Sequence, residues 1–145
     1  MTPVDGVDQV PLRHEIRIAA PIEIVHRYFT DPARIVQWWP SEADIDARPQ
    51  GTLRLRFTRP DGGTDVARGA FVELEPRRIV FTWGFEGNTD LPPGASRVEI
   101  TLAPDGAGTL VRLEHYGLPD AQRGPHDQGW GMFLGRLREV AGLRP

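Results

Sequence analysis

Hydrophobic residues recur every three or four positions along the last stretch of the chain, from Asp120 to Leu143. The apolar stripe comprises Trp130, Phe133, Leu134, Leu137, Val140 and Ala141, and the charged residues of this stretch fall on the other side. This spacing is typical of an amphipathic α-helix. We therefore predict a long C-terminal helix that buries one face.

Apolar and polar residues alternate through much of the chain before that helix, as in half-buried β-strands. The predicted strands are 12–18, 43–47, 52–58, 65–74, 79–85, 97–102 and 109–116. Asp-Gly pairs at Asp61 and Asp105 favour the tight turns of antiparallel hairpins. Gly69 lies inside a predicted strand and indicates a bulge or a bend.

Two short helices are predicted between the first two strands. Pro21 suits the first position of a helix that ends near Phe29. Asp31 or Thr30 can cap a second helix, which we expect to run from Pro32 to about Trp39. The predicted fold class is α+β, in one domain spanning 1–145, with 1–10 as a flexible arm.

Composition excludes several classes of function. The chain has 145 residues, a net charge of −3 and no Cys, and its positive charge comes entirely from Arg. Disulfides, thiol nucleophiles and a Schiff-base lysine are thereby excluded. An acidic balance argues against nucleic acid as a partner, and no apolar run is long enough for a membrane span. We expect a cytoplasmic protein that is a monomer or a homodimer.

Several motifs resemble those of the START/SRPBCC superfamily. They are Ala20-Pro21-Ile22-Glu23-Ile24-Val25, Trp38-Trp39-Pro40, the stretch from Gly69 to Pro76, Arg78-Ile79-Val80-Phe81-Thr82-Trp83, and His126-Asp127-Gln128-Gly129-Trp130. Within it, they most resemble the branch of the C-terminal domain of the activator of heat-shock-protein-90 ATPase. The resemblance implies the helix-grip fold, in which a curved antiparallel sheet wraps around the long C-terminal helix.

That branch contains ligand carriers, polyketide cyclase-like proteins and the self-sacrifice resistance proteins of enediyne producers. The co-chaperone's separate N-terminal domain has no counterpart before the first predicted strand, so we do not expect activation of the chaperone ATPase. We predict instead a protein that binds a hydrophobic or aromatic small molecule between sheet and helix, without a cofactor.

Inward-facing residues of the predicted strands and helix are the candidates for ligand binding, with ordinary core packing as the alternative. They are Trp39, Leu55, Phe57, Phe81, Trp83, Phe85, Val111, Leu113, His115, Trp130, Phe133 and Leu134. Trp38 and His126 are expected to have structural roles. The scattered histidines do not predict a metal site.

Three further functions remain open at this point. One is a protein-interaction module, which would have an exposed apolar patch instead of a cavity. His115 faces inward beside Leu113 and is the candidate acid or base of a cyclase or dehydratase, with Arg54 or Tyr116 as possible helpers. Neither Ser41 nor Ser96 lies in a nucleophile-elbow motif. In a self-sacrifice protein, a drug-derived diradical would take hydrogen from a pocket glycine, for which the candidates are Gly84, Gly117, Gly129 and Gly131.

Overall fold

Seven antiparallel strands form one curved sheet in the computed structural model, which describes residues 10–142. The strands are β1 (Leu12–Ile18), β2 (Glu42–Ile45), β3 (Thr52–Thr58), β4 (Thr64–Glu75), β5 (Arg78–Trp83), β6 (Ser96–Asp105) and β7 (Gly108–Tyr116). The helices are α1 (Ile22–Thr30), α2 (Pro32–Ile35) and α3 (Asp120–Ala141). Leu143 and most of the predicted N-terminal arm lie outside the described residues.

The sheet order is β1-β7-β6-β5-β4-β3-β2. From β2 to β7 each strand pairs with the next one along the chain, as the predicted hairpin turns require. β1 instead pairs with β7, so that Leu12 lies opposite His115. The predicted α+β class, with two short helices after the first strand and a long helix at the end, is confirmed.

The two short helices differ in detail from their prediction. Pro21 is the N-cap of α1 and not its first helical residue. Asp31 caps α2, where its side chain accepts a hydrogen bond of 3.0 Å from the Ala33 N–H. α2 ends at Ile35, so Trp39 lies in the connection to β2 and not in a helix.

β4 contains a bulge, but Gly69 is not its site. The register of β4 against β5 shifts between Phe71 and Glu73, whereas Gly69 stays paired with Leu53 of β3. A Cβ at position 69 would collide with the backbone carbonyl of Thr82 on β5. The glycine therefore permits a close approach of two strands, which local sequence cannot distinguish from a bulge.

The predicted apolar stripe of α3 is confirmed. Trp130, Leu134, Leu137 and Ala141 are buried, and they pack into one hydrophobic core with the inner face of the sheet. A hydrogen bond of 2.9 Å between His14 Nε2 and Asp127 Oδ1 joins α3 to β1. α3 thus packs across the inner face of the sheet. Whether a ligand can enter depends on the space beside the N-terminal half of this helix.

Candidate functional site

An open cleft of about 840 Å³ lies between the N-terminal half of α3, the β3–β4 hairpin and the loop after β5. Its volume falls within the range of roughly 300–1,000 Å³ typical of small-molecule sites. The lining residues are Trp39, Phe57, Thr64, Asp65, Val66, Trp83, Phe85, Glu86, Gly87, Asn88, Thr89, Gln122, Pro125, His126, Gly129, Trp130 and Phe133. Six of these side chains are aromatic carbocycles or indoles and seven are polar or charged, so the wall combines apolar and polar surface.

The structure brings half of the predicted ligand-binding residues to this cleft. Those that line it are Trp39, Phe57, Trp83, Phe85, Trp130 and Phe133. The others are fully buried core residues that do not line it: Leu55, Phe81, Val111, Leu113, His115 and Leu134. Their side chains face the interior, as those of the lining residues do, but they belong to the packed part of the hydrophobic core.

Three tryptophans form the aromatic floor of the cleft, which we define as Trp39, Trp83 and Trp130. The rings of Trp39 and Trp83 stack with their centroids 5.1 Å apart and their planes 13° from parallel. Trp130 lies 5.0 Å from Trp39 and is tilted by 41°. Aromatic pairs at such distances contribute about 0.5–1.5 kcal/mol each beyond the burial of their area. The three rings of the floor therefore stabilise one another by direct contact.

A chain of hydrogen bonds fixes His115 behind this floor. Trp130 Nε1 donates to His115 Nδ1 over 3.0 Å, and His115 Nε2 lies 2.9 Å from Ser96 Oγ. Ser96 Oγ donates in turn to the Trp83 carbonyl. Because an indole N–H can only donate, Nδ1 must be the acceptor, and the proton of the neutral imidazole is on Nε2. Both ring nitrogens of His115 are thus occupied by protein groups.

His126 has the corresponding role for the second tryptophan. Trp83 Nε1 donates to His126 Nε2 over 3.2 Å, and His126 Nδ1 donates to the Gln122 carbonyl over 2.9 Å. The same reasoning assigns the proton to Nδ1 and makes His126 neutral. His126 therefore joins α3 to the end of β5, and it also lines the cleft.

Burial dominates the ionisation of both histidines. It lowers the pKa of His115 to about 3, and the nearby His126 adds a smaller repulsive contribution. Burial also lowers the pKa of His126, although the hydrogen bond to Gln122 opposes this shift. Both imidazoles are uncharged near neutral pH, and His115 is too weak a base to take a proton from a ligand there.

The other two groups considered for catalysis, Arg54 and Tyr116, do not line the cleft. Arg54 donates to Glu86 through Nε and Nη2, over 3.0 and 3.3 Å. Tyr116 lies beneath the Arg97 guanidinium, whose central carbon is 5.2 Å from the ring centroid. Nothing in this arrangement favours the cyclase alternative.

Two carboxylates stand at the rim of the cleft, and both are paired with arginines. Glu86 also binds Arg68, over 3.2 Å, and the hydrogen bond from Arg54 is the main reason that its pKa is lowered. Asp65 Oδ1 accepts a hydrogen bond of 2.7 Å from Arg59. These partly exposed ion pairs are worth little in stability. Those of Glu86 join the loop after β5 to β3 and β4, whereas the pair of Asp65 and Arg59 lies within the β3–β4 hairpin.

Of the four candidate glycines, only Gly129 lines the cleft. Gly84 is packed against the backbone of Pro92, and Gly117 adopts a positive φ of 84° beside the Ala95 carbonyl. Gly131 is exposed on α3 and is close to the His14 ring. Gly87, which the sequence did not single out, also lines the cleft.

Several lining residues were missed because they belong to the loop after β5 and to the polar side of α3. Glu86, Asn88 and Thr89 carry no periodic signal, and Gln122 and Pro125 lie outside the apolar stripe. The spacing of His126 four residues before Trp130 was the only available hint, since such residues share a helix face. Over residues 10–142 no group of side chains is arranged to hold a metal ion.

Structures already solved contain close matches to this fold. Protein CV1439 from Chromobacterium violaceum is 28% identical, with a TM-score of 0.83, over 93% of this chain and 99% of its own. CalU16 from Micromonospora echinospora is 32% identical, with a TM-score of 0.72, over 89% of this chain and 74% of its own. DynU16, a protein in the dynemicin biosynthetic locus, is 24% identical, with a TM-score of 0.75, over 90% of this chain but 46% of its own. These neighbours share the helix-grip fold.

One neighbour bears on assembly. The Aha1 dimer from Colwellia psychrerythraea matches 93% of this chain and 98% of its own, with a TM-score of 0.76 and 18% identity, so this fold also occurs as a homodimer. Within residues 10–142, no helix combines the length and the apolar character needed to span a bilayer.

Family membership follows from the sequence itself. A search of curated proteins finds no match to the chain. The model of the family described as Activator of Hsp90 ATPase homolog 1-like protein, by contrast, matches residues 19–142, which include every strand from β2 to β7 and all three helices. The chain belongs to the Activator of Hsp90 ATPase homolog 1-like family.

Proposed function

We propose that this protein binds a hydrophobic or aromatic small molecule in the cleft between α3 and the sheet. The observation that carries the proposal is the open cleft of about 840 Å³ with an aromatic floor. A flat apolar ligand would remove from water its own surface and the exposed parts of Phe57, Phe85 and Phe133, which favours binding by roughly 25 cal/mol per Å² of apolar area.

The chemistry around the floor favours binding over catalysis. The imidazoles of His115 and His126 are neutral and use both nitrogens in hydrogen bonds within the protein. The rim carboxylates of Asp65 and Glu86 are engaged by arginines. A catalytic acid or base needs a pKa near the working pH and a path to the substrate, which these groups do not offer.

Native mass spectrometry of the freshly purified protein, followed by denaturing extraction, tests for a retained ligand. Titration with a flat aromatic probe such as acetylnaphthalene, followed by tryptophan fluorescence, tests the site. Phe133→Ala should weaken binding several-fold because Phe133 lines the cleft. Met132→Ala is the matched control. Met132 is next to Phe133 in the chain, but its side chain is 52% exposed and does not line the cleft.

Equal losses in the two variants, or undiminished binding by Phe133→Ala, would contradict the assignment of this cleft. A purified protein that neither retains a small molecule nor binds aromatic probes would contradict the proposed function as a whole.

A second candidate is self-sacrifice resistance to an enediyne. It is favoured by Gly129, whose backbone lines the cleft, and by the similarity to DynU16, whose locus makes the enediyne dynemicin. A carbon radical of the activated drug would take the Cα hydrogen of Gly129 and form a C–H bond on the drug. Dioxygen would then add to the resulting Cα radical, and decomposition of the peroxyl product would cut the chain there.

Incubation with a thiol-activated enediyne in air, followed by mass mapping of the fragments, tests this candidate. Cleavage at Gly129 is expected, with loss of the same cut in Gly129→Ala. Gly135→Ala is the control, because Gly135 is on the same helix but does not line the cleft. An intact chain, or cleavage that is the same in all three proteins, would exclude this candidate.

A further inference from the structure

Among the four tryptophans, Trp39 differs in its hydrogen bonding. Trp83 and Trp130 donate to histidines of the network described above, and Trp38 Nε1 donates to the Tyr28 carbonyl over 2.9 Å. The side chain of Trp39 makes no hydrogen bond to any residue between 10 and 142, although the residue is only 6% exposed.

The Trp39 N–H is nevertheless accessible. Within the described part of the chain, the one buried side-chain nitrogen or oxygen without a hydrogen-bond partner is Arg123 Nη1. Trp39 Nε1 must therefore lie at the accessible margin of its ring. Trp39 also lines the cleft, so its ring borders the space that a ligand would enter.

The faces of the Trp39 ring are already covered. It stacks on Trp83 on one side, and it stacks on Trp38 at 5.3 Å with an interplanar angle of 16°. Two indoles that each lie nearly parallel to Trp39 leave its edge, and not its faces, for contact with a ligand. Trp39 therefore keeps an unused N–H at the edge of its ring, whereas the indole N–H groups of Trp83 and Trp130 are bonded to histidines.

We propose that Trp39 Nε1 opens onto the cleft and that the ligand carries a hydrogen-bond acceptor oxygen on a flat aromatic skeleton, for example an aryl ketone carbonyl, which accepts from this N–H. This inference rests on the proposed function and narrows its ligand class. A pure hydrocarbon would take the N–H out of water without replacing its hydrogen bond, and leaving a donor unpaired on burial is unfavourable.

The free protein provides the first test. In two-dimensional nitrogen–proton NMR with transfer to heavy water, the Trp39 indole proton should exchange faster than the other three, which are held by protein acceptors. The Trp39→Phe variant assigns its signal. Protection of the Trp39 proton equal to that of the others would overturn the inference without reference to any ligand.

A matched pair of probes provides the second test. Acetylnaphthalene and ethylnaphthalene have nearly the same shape, but only the first has a carbonyl acceptor. The wild-type protein should prefer the ketone by about 2- to 10-fold, the range expected for one neutral hydrogen bond. The Trp39 indole signal should move downfield with the ketone only, which is a readout that does not depend on any variant.

Trp39→Phe should abolish this preference. Trp38→Phe is the control. It also removes one indole N–H, but that N–H is bonded to the Tyr28 carbonyl, so this variant should keep the preference for the ketone. Equal affinity of the wild type for the two probes, with an unmoved Trp39 signal, would overturn this inference and leave the proposed function intact. Failure of both probes to bind would count against the proposed function, and the inference would fall with it.

Discussion

Replacing His115 with Gln should make the protein less sensitive to acid. In the folded state burial lowers the pKa of His115 from its ordinary 6.5 to about 3, whereas the unfolded chain takes up a proton near 6.5. The unfolded state therefore binds more protons at any pH between these values. The contribution of His115 to the free energy of unfolding is therefore fully present above pH 6.5, and it is lost as the pH falls toward 3.

The size of the effect follows from the pKa shift. One pKa unit corresponds to 1.36 kcal/mol, so that the full shift corresponds to about 5 kcal/mol, of which about 2 kcal/mol is lost between pH 7 and pH 5. The lowered pKa of His126 acts in the same direction. Urea unfolding at a series of pH values, followed by tryptophan fluorescence, gives the free energy of unfolding at each pH.

Two comparisons make this measurement decisive. At pH 7.5 the His115→Gln variant should be less stable by about 1–3 kcal/mol, because groups that bonded the imidazole lose a partner. Between pH 7 and 5 its stability should fall by about 2 kcal/mol less than that of the wild type. Thr109→Val, which removes a buried hydroxyl bonded to the Ala20 carbonyl, should lose stability without this change of slope. Equal slopes in wild type and His115→Gln would refute the reasoning.

Three further substitutions test the packing around the site. Gly135→Ala should raise stability by about 0.5–1 kcal/mol in thermal melting, since an added Cβ meets nothing within 4 Å and alanine favours the helix; a lower melting temperature would contradict this. Gly69→Ala should be severely destabilising, because its Cβ would collide with the Thr82 carbonyl, and a variant of wild-type stability would show that the strands can separate there. Trp130→Phe should cost about 1–3 kcal/mol in urea unfolding by leaving His115 Nδ1 without its donor, and an unchanged midpoint would argue against that bond.

Local pattern was sufficient for most of the fold. The stripe from Trp130 to Ala141 repeats with the period of a helix, and the alternation from Leu12 to Ile18 repeats with the period of a strand, so each element could be recognised from its own residues. The predicted end of α2, near Trp39, was wrong. The residues from Val36 onward keep a helical pattern in the sequence, but the helix itself ends at Ile35. The role of Gly69 was ambiguous because Thr82, which explains it, is distant in sequence.

The site was only partly predictable, for a different physical reason. Alternation shows which side of a strand faces inward, but it does not show where along the sheet the interior is left unfilled. Leu113 and Phe57 share the same inward phase, yet one is buried in the core and the other lines the cleft. The environment of His126 was also inaccessible, since its bond to Trp83 joins two elements that only the fold brings together.

The pairing of β1 with β7 has a consequence for how the chain reaches its native state. β2 to β7 form a meander in which each strand pairs with the next along the chain, whereas the partner strand of β1 lies about a hundred residues later. Such non-local contacts are costly in loop entropy and slow in forming. We therefore expect the meander to form first, with β1 and the helix bonded to it through His14 and Asp127 closing the structure last. The aromatic cleft, which needs that helix as its wall, would then be completed only in the final step of folding.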